Sequence, residues 1–121
     1  MIRIFLLCLT ILSISGCTTT YLVKIAPKSH FDYPNSNIEQ LGYVTGQASE
    51  SHFFSAATVT STLEYDALTD ALAKKAGADM LVNSYHVIDI TSIPLLPITT
   101  ITYKVDGTAV KMKVSDKPLG N

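Results

Sequence analysis

Hydrophobic and polar positions divide the chain into one long apolar run, several stretches of strand-like alternation and one segment with a helical period. The run comes first: Ile4–Ile14 reads IFLLCLTILSI. Tyr21–Ala26 (YLVKIA) has the apolar, β-branched character of a strand. The polar stretch 27–40 (PKSHFDYPNSNIEQ), with two prolines and two asparagines, predicts a loop or linker. Two starts for the folded body are open, one including residues 21–26 and one near Ile38. Leu41–Ser49 (LGYVTGQAS) is the next strand. Leu41, Tyr43 and Thr45 share one face, and Gly42, Val44, Gly46 and Ala48 share the other. Two glycines on one strand face imply that something packs very close there, and a helix laid across the sheet is the simplest candidate. Residues 50–60, which carry Phe53 and Phe54, show no clear period.

A helix is predicted over Ser61–Ala76. Ser61-Thr62-Leu63-Glu64 fits a capping box. Leu68, Ala71, Leu72, Lys75 and Ala76 fall on one stripe, apolar except for Lys75. Glu64, Asp66 and Asp70 lie in the N-terminal half, and Lys74 and Lys75 lie near the end, which complements the helix dipole. Asp70 and Lys74 form an i,i+4 pair, and Gly77 supplies a left-handed residue past the end. Ala67, Ala71, Ala73 and Ala76 make the helix slim enough to approach a face built of Gly46 and Ala48.

Met80–Thr91 predicts a strand leaving the helix. Residues 92–97 (SIPLLP) predict a long hairpin loop, because two prolines bar a regular central strand. This apolar stretch fits either an exposed finger that docks a partner or touches the membrane, or a buried or subunit contact. Ile98–Val114 is β-rich. Ile101, Tyr103 and Val105 share one face, while Val110, Met112 and Val114 are of opposite parity, so the face switches near Asp106-Gly107. A type I′ hairpin turn or a bulge in one long strand would do this, and periodicity favours the hairpin. Residues 115–121 predict a frayed tail.

Composition changes the picture at the N-terminus. Arg3 precedes the apolar run and small residues follow it, the order of an export signal. Ile4–Ile14 spans about 16 Å as a helix, against a hydrocarbon core of roughly 30 Å, so it is too short for a stable span. Arg3 is the only arginine; eight lysines stand against ten carboxylates. With no basic run and no arginine beyond position 3, nucleic acid is a poor fit as partner.

Ile14-Ser15-Gly16-Cys17 resembles the lipobox of bacterial lipoproteins: a branched apolar residue, two small residues, then cysteine. Small side chains admit the protease, and the cysteine sulfur takes a lipid before cleavage. The resemblance implies a mature chain beginning at Cys17 with a diacylglycerol thioether, often with an acyl chain on its amine. At about 0.8 kcal/mol per buried methylene, two or three acyl chains anchor the protein durably. Cys8 lies in the apolar run and is lost with it. Thr18, where aspartate would favour inner-membrane retention, points by the same resemblance to the periplasmic leaflet of the outer membrane.

Three further stretches, Tyr43–Ala48 (YVTGQA), Ala76–Val82 (AGADMLV) and Val105–Lys111 (VDGTAVK), occur in the order found in the YbjQ-like family of small bacterial proteins, sometimes labelled heavy-metal-binding. The resemblance covers roughly residues 41–113. It implies an α+β unit with one helix packed on a small antiparallel sheet, a strand that continues through Gly107, and ring-like self-association. The lipobox and a shorter helical region depart from the family pattern, which puts any particular ring in doubt.

Site chemistry is sparse. Histidines 30, 52 and 86 are the metal candidates. His86 and Asp89 are three apart, on opposite faces of a strand, and His30 with Asp32 is a weak pair in a polar loop; solvated or hydrogen-bonded histidines are the better reading. No Cys-x-x-Cys or His-x-x-x-His occurs. No Gly-x-Ser-x-Gly elbow or phosphate-cradling glycine loop occurs either, and helix position explains Glu64, Asp66 and Asp70 without an acid pair. The expectation is therefore a signal peptide over 1–16, a lipidated N-terminus and linker over 17–40, an α+β domain over 41–114 and a tail over 115–121. The chain is expected to be a non-catalytic envelope protein without a cofactor. It would be held to membrane lipid through acylated Cys17 and act by self-association or by binding another envelope protein. A periplasmic small-ligand or metal-binding lipoprotein is the alternative, with a hydrolase third.

Overall fold

The computed structural model describes residues 16–26, 36–54, 56, 58–93 and 96–114, excluding the side chains of Ser36 and Val114. The expected signal peptide, Cys8, the linker stretch 27–35 with His30 and Asp32, Pro94, Leu95 and the expected tail lie outside the described residues, apart from Gly16. The elements are β1 (Cys17–Ala26), β2 (Ser36–Phe53), α1 (Ser61–Ala73), β3 (Met80–Ile93) and β4 (Ile98–Val114). They form a small α+β fold: one antiparallel sheet in the order β1-β3-β4-β2, with α1 laid on one face.

Contact between α1 and β2 is unusually close. A Cβ added at Gly46 would fall 2.5 Å from the Ala71 Cβ and backbone nitrogen, and would overlap the Ala67 carbonyl oxygen. Only glycine lets the helix backbone rest there. Leu63, Ala67 and Ala71 form the buried stripe of α1, and Leu68 and Leu72 pack at its margin. Beneath them lie Val44, Leu81, Ile88, Ile101, Tyr103, Val105 and Ala109. Ile101, Tyr103 and Val105 are alternate residues of β4, as a strand with one covered face requires.

The ends of α1 differ from expectation. Thr60, not Ser61, caps it: Thr60 is extended (φ −93°, ψ 151°), and its Oγ1 accepts from the Leu63 N–H at 3.2 Å. Glu64 does not close a capping box with Ser61; its carboxylate lies 3.7 Å from both Lys24 Nζ and His86 Nδ1. The helix ends at Ala73, three residues early. Lys74 and Lys75 donate back to Ala71 and Leu72, and Ala78 donates to Lys75 across a turn in which Gly77 has φ +77°. The Asp70–Lys74 pair forms at 3.0 Å and also reaches the sheet. Gln47 N–H donates to Asp70 Oδ2 (3.0 Å), and Lys74 Nζ donates to the Thr45 carbonyl (2.5 Å). The helix thus occupies backbone groups along β2, an edge strand.

Asp106-Gly107 is not a hairpin turn. β4 runs through it as one strand: Thr45↔Asp106, Val44↔Gly107 and Tyr43↔Thr108 pair on β2, and Tyr85↔Asp106 and Val82↔Thr108 flank it on β3. The irregularity lies in β3, between Val82 and Tyr85, where Asn83 takes φ 51°. This bulge lays Ser84 over β4, so a Cβ at Gly107 would sit 3.1 Å from the Ser84 Cβ. The apparent change of face comes later, where Ala109 and Val110 are both buried beside a second bulge, Gln40–Gly42.

Part of the segment expected to be tether and linker is sheet. Cys17–Ala26 pairs along β3 from Cys17↔Ser92 to Ala26↔Ser84, and β2 begins at Ser36. Nine of the ten β1 residues are exposed, because α1 lies over β2 and β4 and β1 has a neighbour on one side only. Gly46→Ala is predicted to destabilise the fold by about 3 kcal/mol, the upper end of ordinary overpacking, since backbone rather than a flexible side chain must yield. Urea unfolding of the leaderless Cys17→Ser chain, with and without Gly46→Ala, measures it.

Candidate functional site

The chemistry-bearing residues fall at two places. One is a cleft of about 280 Å³ between α1 and β3, lined by Lys24, Glu64, Leu68, Leu72, Ser84 and His86 among others. The β3 bulge puts Ser84 and His86 side by side under the helix, both buried. His86 Nε2 lies 3.3 Å from Ser84 Oγ, and its Nδ1 lies 3.0 Å from the Tyr103 hydroxyl. The two rings meet edge to face at 5.8 Å. A neutral imidazole protonated on Nε2 satisfies both partners, donating to Ser84 and accepting the Tyr103 O–H.

Burial pushes His86 below the ordinary histidine range; Glu64 opposes the shift and Lys24 adds to it. Burial, then the Glu64 carboxylate, pushes Tyr103 up to about 12. Neither group carries charge near neutrality. The order Ser84, His86, Glu64 imitates a nucleophile–base–acid relay, yet the atoms do not work as one. Nδ1 bonds Tyr103 rather than Glu64, which stands at 3.7 Å, and Ser84 is a buried residue at the cleft wall. The cluster is a hydrogen-bonded core histidine at the wall of a cleft.

The other metal candidates are dispersed. Asp89 lies on the opposite face from His86, bound to Lys104 Nζ (2.5 Å) and Thr20 Oγ1 (2.6 Å). Lys104 and then Thr20 hold its carboxyl below the usual range. His52 Nε2 lies 3.9 Å from Glu50 Oε1. Among the described residues no group of three or more His, Cys, Asp or Glu converges as a metal site. Asp66 is at the rim of a shallow hollow with Ser49, Glu50 and Leu63, and Asp70 serves the β2 edge.

Cys17 is the second place. Its thiol is free and exposed at the first residue of β1. The register sets it in one row across the sheet, Cys17↔Ser92, Ser92↔Thr99 and Thr99↔His52. The row Ile93↔Ile98↔Phe53 lies just beyond. The cysteine therefore shares its end of the sheet with the β3–β4 connection and the end of β2, a juxtaposition that linear spacing does not reveal. Among the described residues no helix is long and apolar enough to cross a membrane. No family model, curated protein or solved structure matches the chain.

Protonating buried His86 costs stability. The unfolded chain binds this proton near pH 6.5 and the folded chain only at lower pH, so the unfolded state holds more protons in between. Stability from this group is complete above pH 6.5 and falls as pH drops below it. Asp89 and Asp70, also held low, contribute their losses at still lower pH. Melting of wild type and His86→Gln at about pH 7.5 and about pH 5.5 tests this: the wild type should lose more of its melting temperature across the interval.

Proposed function

We propose that this chain is a lipid-anchored, non-catalytic protein of the bacterial envelope, of the YbjQ-like kind, that acts by self-association or by binding another envelope protein. The observation that carries this reading is Ile14-Ser15-Gly16-Cys17 directly after the apolar run Ile4–Ile14. An exposed Cys17 thiol supports it, because the modified sulfur needs room for its lipid. Thr18 favours the outer membrane, periplasmic side. The YbjQ-like assignment draws support from a β4 strand continuous through Gly107 and from the helix lying on the Tyr43–Ala48 stretch.

Self-association has a surface to use. The β2 edge is engaged by Asp70 and Lys74, whereas among the described residues β1 has no strand beyond it, and Tyr21, Leu22, Val23 and Ile25 are exposed. A free apolar edge strand pairs readily with another strand. Its bulge at Leu22–Lys24 limits how far such pairing can run.

Palmitate labelling with and without globomycin tests the anchor. The wild type should take up label and accumulate as a longer precursor with the drug, and Cys17→Ser should do neither. A wild type that is unlabelled and unaffected by the drug contradicts the reading. For the second part, light scattering on residues 18–121 should give a mass that rises with concentration, and Leu22→Lys with Ile25→Lys should lower it. A monomer at high concentration would count against self-association and leave binding to another protein. The cleft beside His86 favours a second reading, a small polar ligand held by Lys24 and Glu64. Lys24→Ala removes the ammonium from the cleft and should abolish any such binding measured by calorimetry.

A further inference from the structure

We infer that the end of the sheet bearing Cys17 is itself a membrane-contacting surface, with Phe53, Phe54 and Leu96 seated in the lipid interface beside the acyl chains; this rests on the anchor reading above. Described residues of three stretches meet at that end, Cys17–Thr18, Ser51–Phe54, and Thr91–Ile93 with Leu96–Thr100, and none of them is Asp, Glu, Lys or Arg. Register, not sequence proximity, brings them together, through Cys17↔Ser92, Ser92↔Thr99 and His52↔Thr99. Across four strands at about 4.8 Å spacing, the row from Cys17 to His52 is about 14 Å wide. The anchor sits at one corner of this end and the aromatic pair at the other.

The apolar residues there are out in solvent. Phe54 is 88 % exposed, Phe53 63 % and Leu96 52 %. Hydrogen bonding holds the group in place: Phe54 N–H donates to the Pro97 carbonyl (2.9 Å), and Leu96 N–H to that of Ile93 (3.1 Å). Large apolar side chains fixed at this end, with Glu50 set back beside His52, are costly in water and suited to the boundary between headgroups and acyl chains.

Side chains on the face away from α1 are ordered by depth as a bilayer surface would require. The outermost row is apolar, Ile93↔Ile98↔Phe53. Next is a row of hydroxyls across all four strands, Thr18↔Thr91↔Thr100↔Ser51, with Thr18–Thr91 at 2.8 Å and Ser51–Thr100 at 2.9 Å. Charge enters only in the third row, at Asp89, about 13 Å from Ile93 along the strand. Hydroxyls suit the ester and headgroup layer, where they exchange hydrogen bonds with lipid and water, and the charges stay in solvent. A second copy would have no need of this gradation. The domain then stands on its lipidated end with strands steep to the membrane, holding the β1 edge clear of it.

The chain contains no tryptophan, so Phe54→Trp reports this end alone, and Tyr43→Trp reports a position about 33 Å farther along β2. Each variant is expressed as the full chain in a bacterial host, labelled with palmitate, and reconstituted into phosphatidylethanolamine–phosphatidylglycerol vesicles with brominated acyl chains. The F54W emission should move to the blue and be quenched by the bromines several-fold more than that of Y43W, which should stay open to iodide. Palmitate-labelled F54W as open to iodide as Y43W would overturn this inference and leave the anchor standing. Shielding of F54W from iodide without quenching by bromine would put a protein against this end and also overturn it. Absence of palmitate would overturn the anchor, and this inference with it.

Discussion

Everything in this fold is arranged around a place where a helix has no room to spare. At Gly46 the backbone of α1 rests on the backbone of β2, with Ala67 and Ala71 as the only side chains small enough to allow it. That contact sets the helix over β2 and β4, and the consequences follow by exclusion. Asp70 and Lys74 come within reach of β2 backbone groups and engage that edge. β1 lies beyond the helix, held by β3 alone and exposed along nearly its whole length. Among the described residues, one edge of the sheet is thus engaged and the other, which begins at Cys17, has no neighbour.

A charge-free end gives the molecule a direction. α1 starts near that end and runs away from it, so the ion pair of Asp70 with Lys74 lies farther along, as does that of Lys104 with Asp89. The buried polar cluster of Ser84, His86 and Tyr103 lies in the interior between α1 and β3. Ser84 and Tyr103 occupy the two His86 ring nitrogens, and burial holds the histidine below its ordinary range. A lipid on Cys17 would extend an asymmetry already built into the positions of apolar and charged residues.

Much of the architecture was legible because it rests on local chemistry. Glycine at 46 opposite an alanine-rich helix announces a close approach, and alternating Ile101, Tyr103 and Val105 announce a covered strand face. The cap at Thr60 was legible only in kind, since Ser61 offers the same hydroxyl and Glu64 is drawn away by His86 and Lys24. β1 was half legible. Tyr21–Ala26 has strand character, but a strand exposed on both faces carries no alternation, so nothing local marks its start at Cys17. At Gly107 periodicity and the Asp-Gly pair pointed to a hairpin, while the family resemblance pointed to the continuing strand that forms. The cause of the glycine here is a bulge more than twenty residues away, which lays Ser84 against it. The meeting of Cys17, Ser92, Thr99 and His52 in one row was invisible for the same reason: register is a property of pairs of strands.

Cys17 is the proposed junction between this domain and a bilayer. Intact-mass spectrometry of the chain purified in detergent from a bacterial host tests it most directly. The account predicts a chain that starts at Cys17, heavier than its amino acids by a thioether-linked diacylglycerol, with or without a further acyl group on the amine. A mass showing an unmodified Cys17, or Met1–Gly16 still attached, would contradict it.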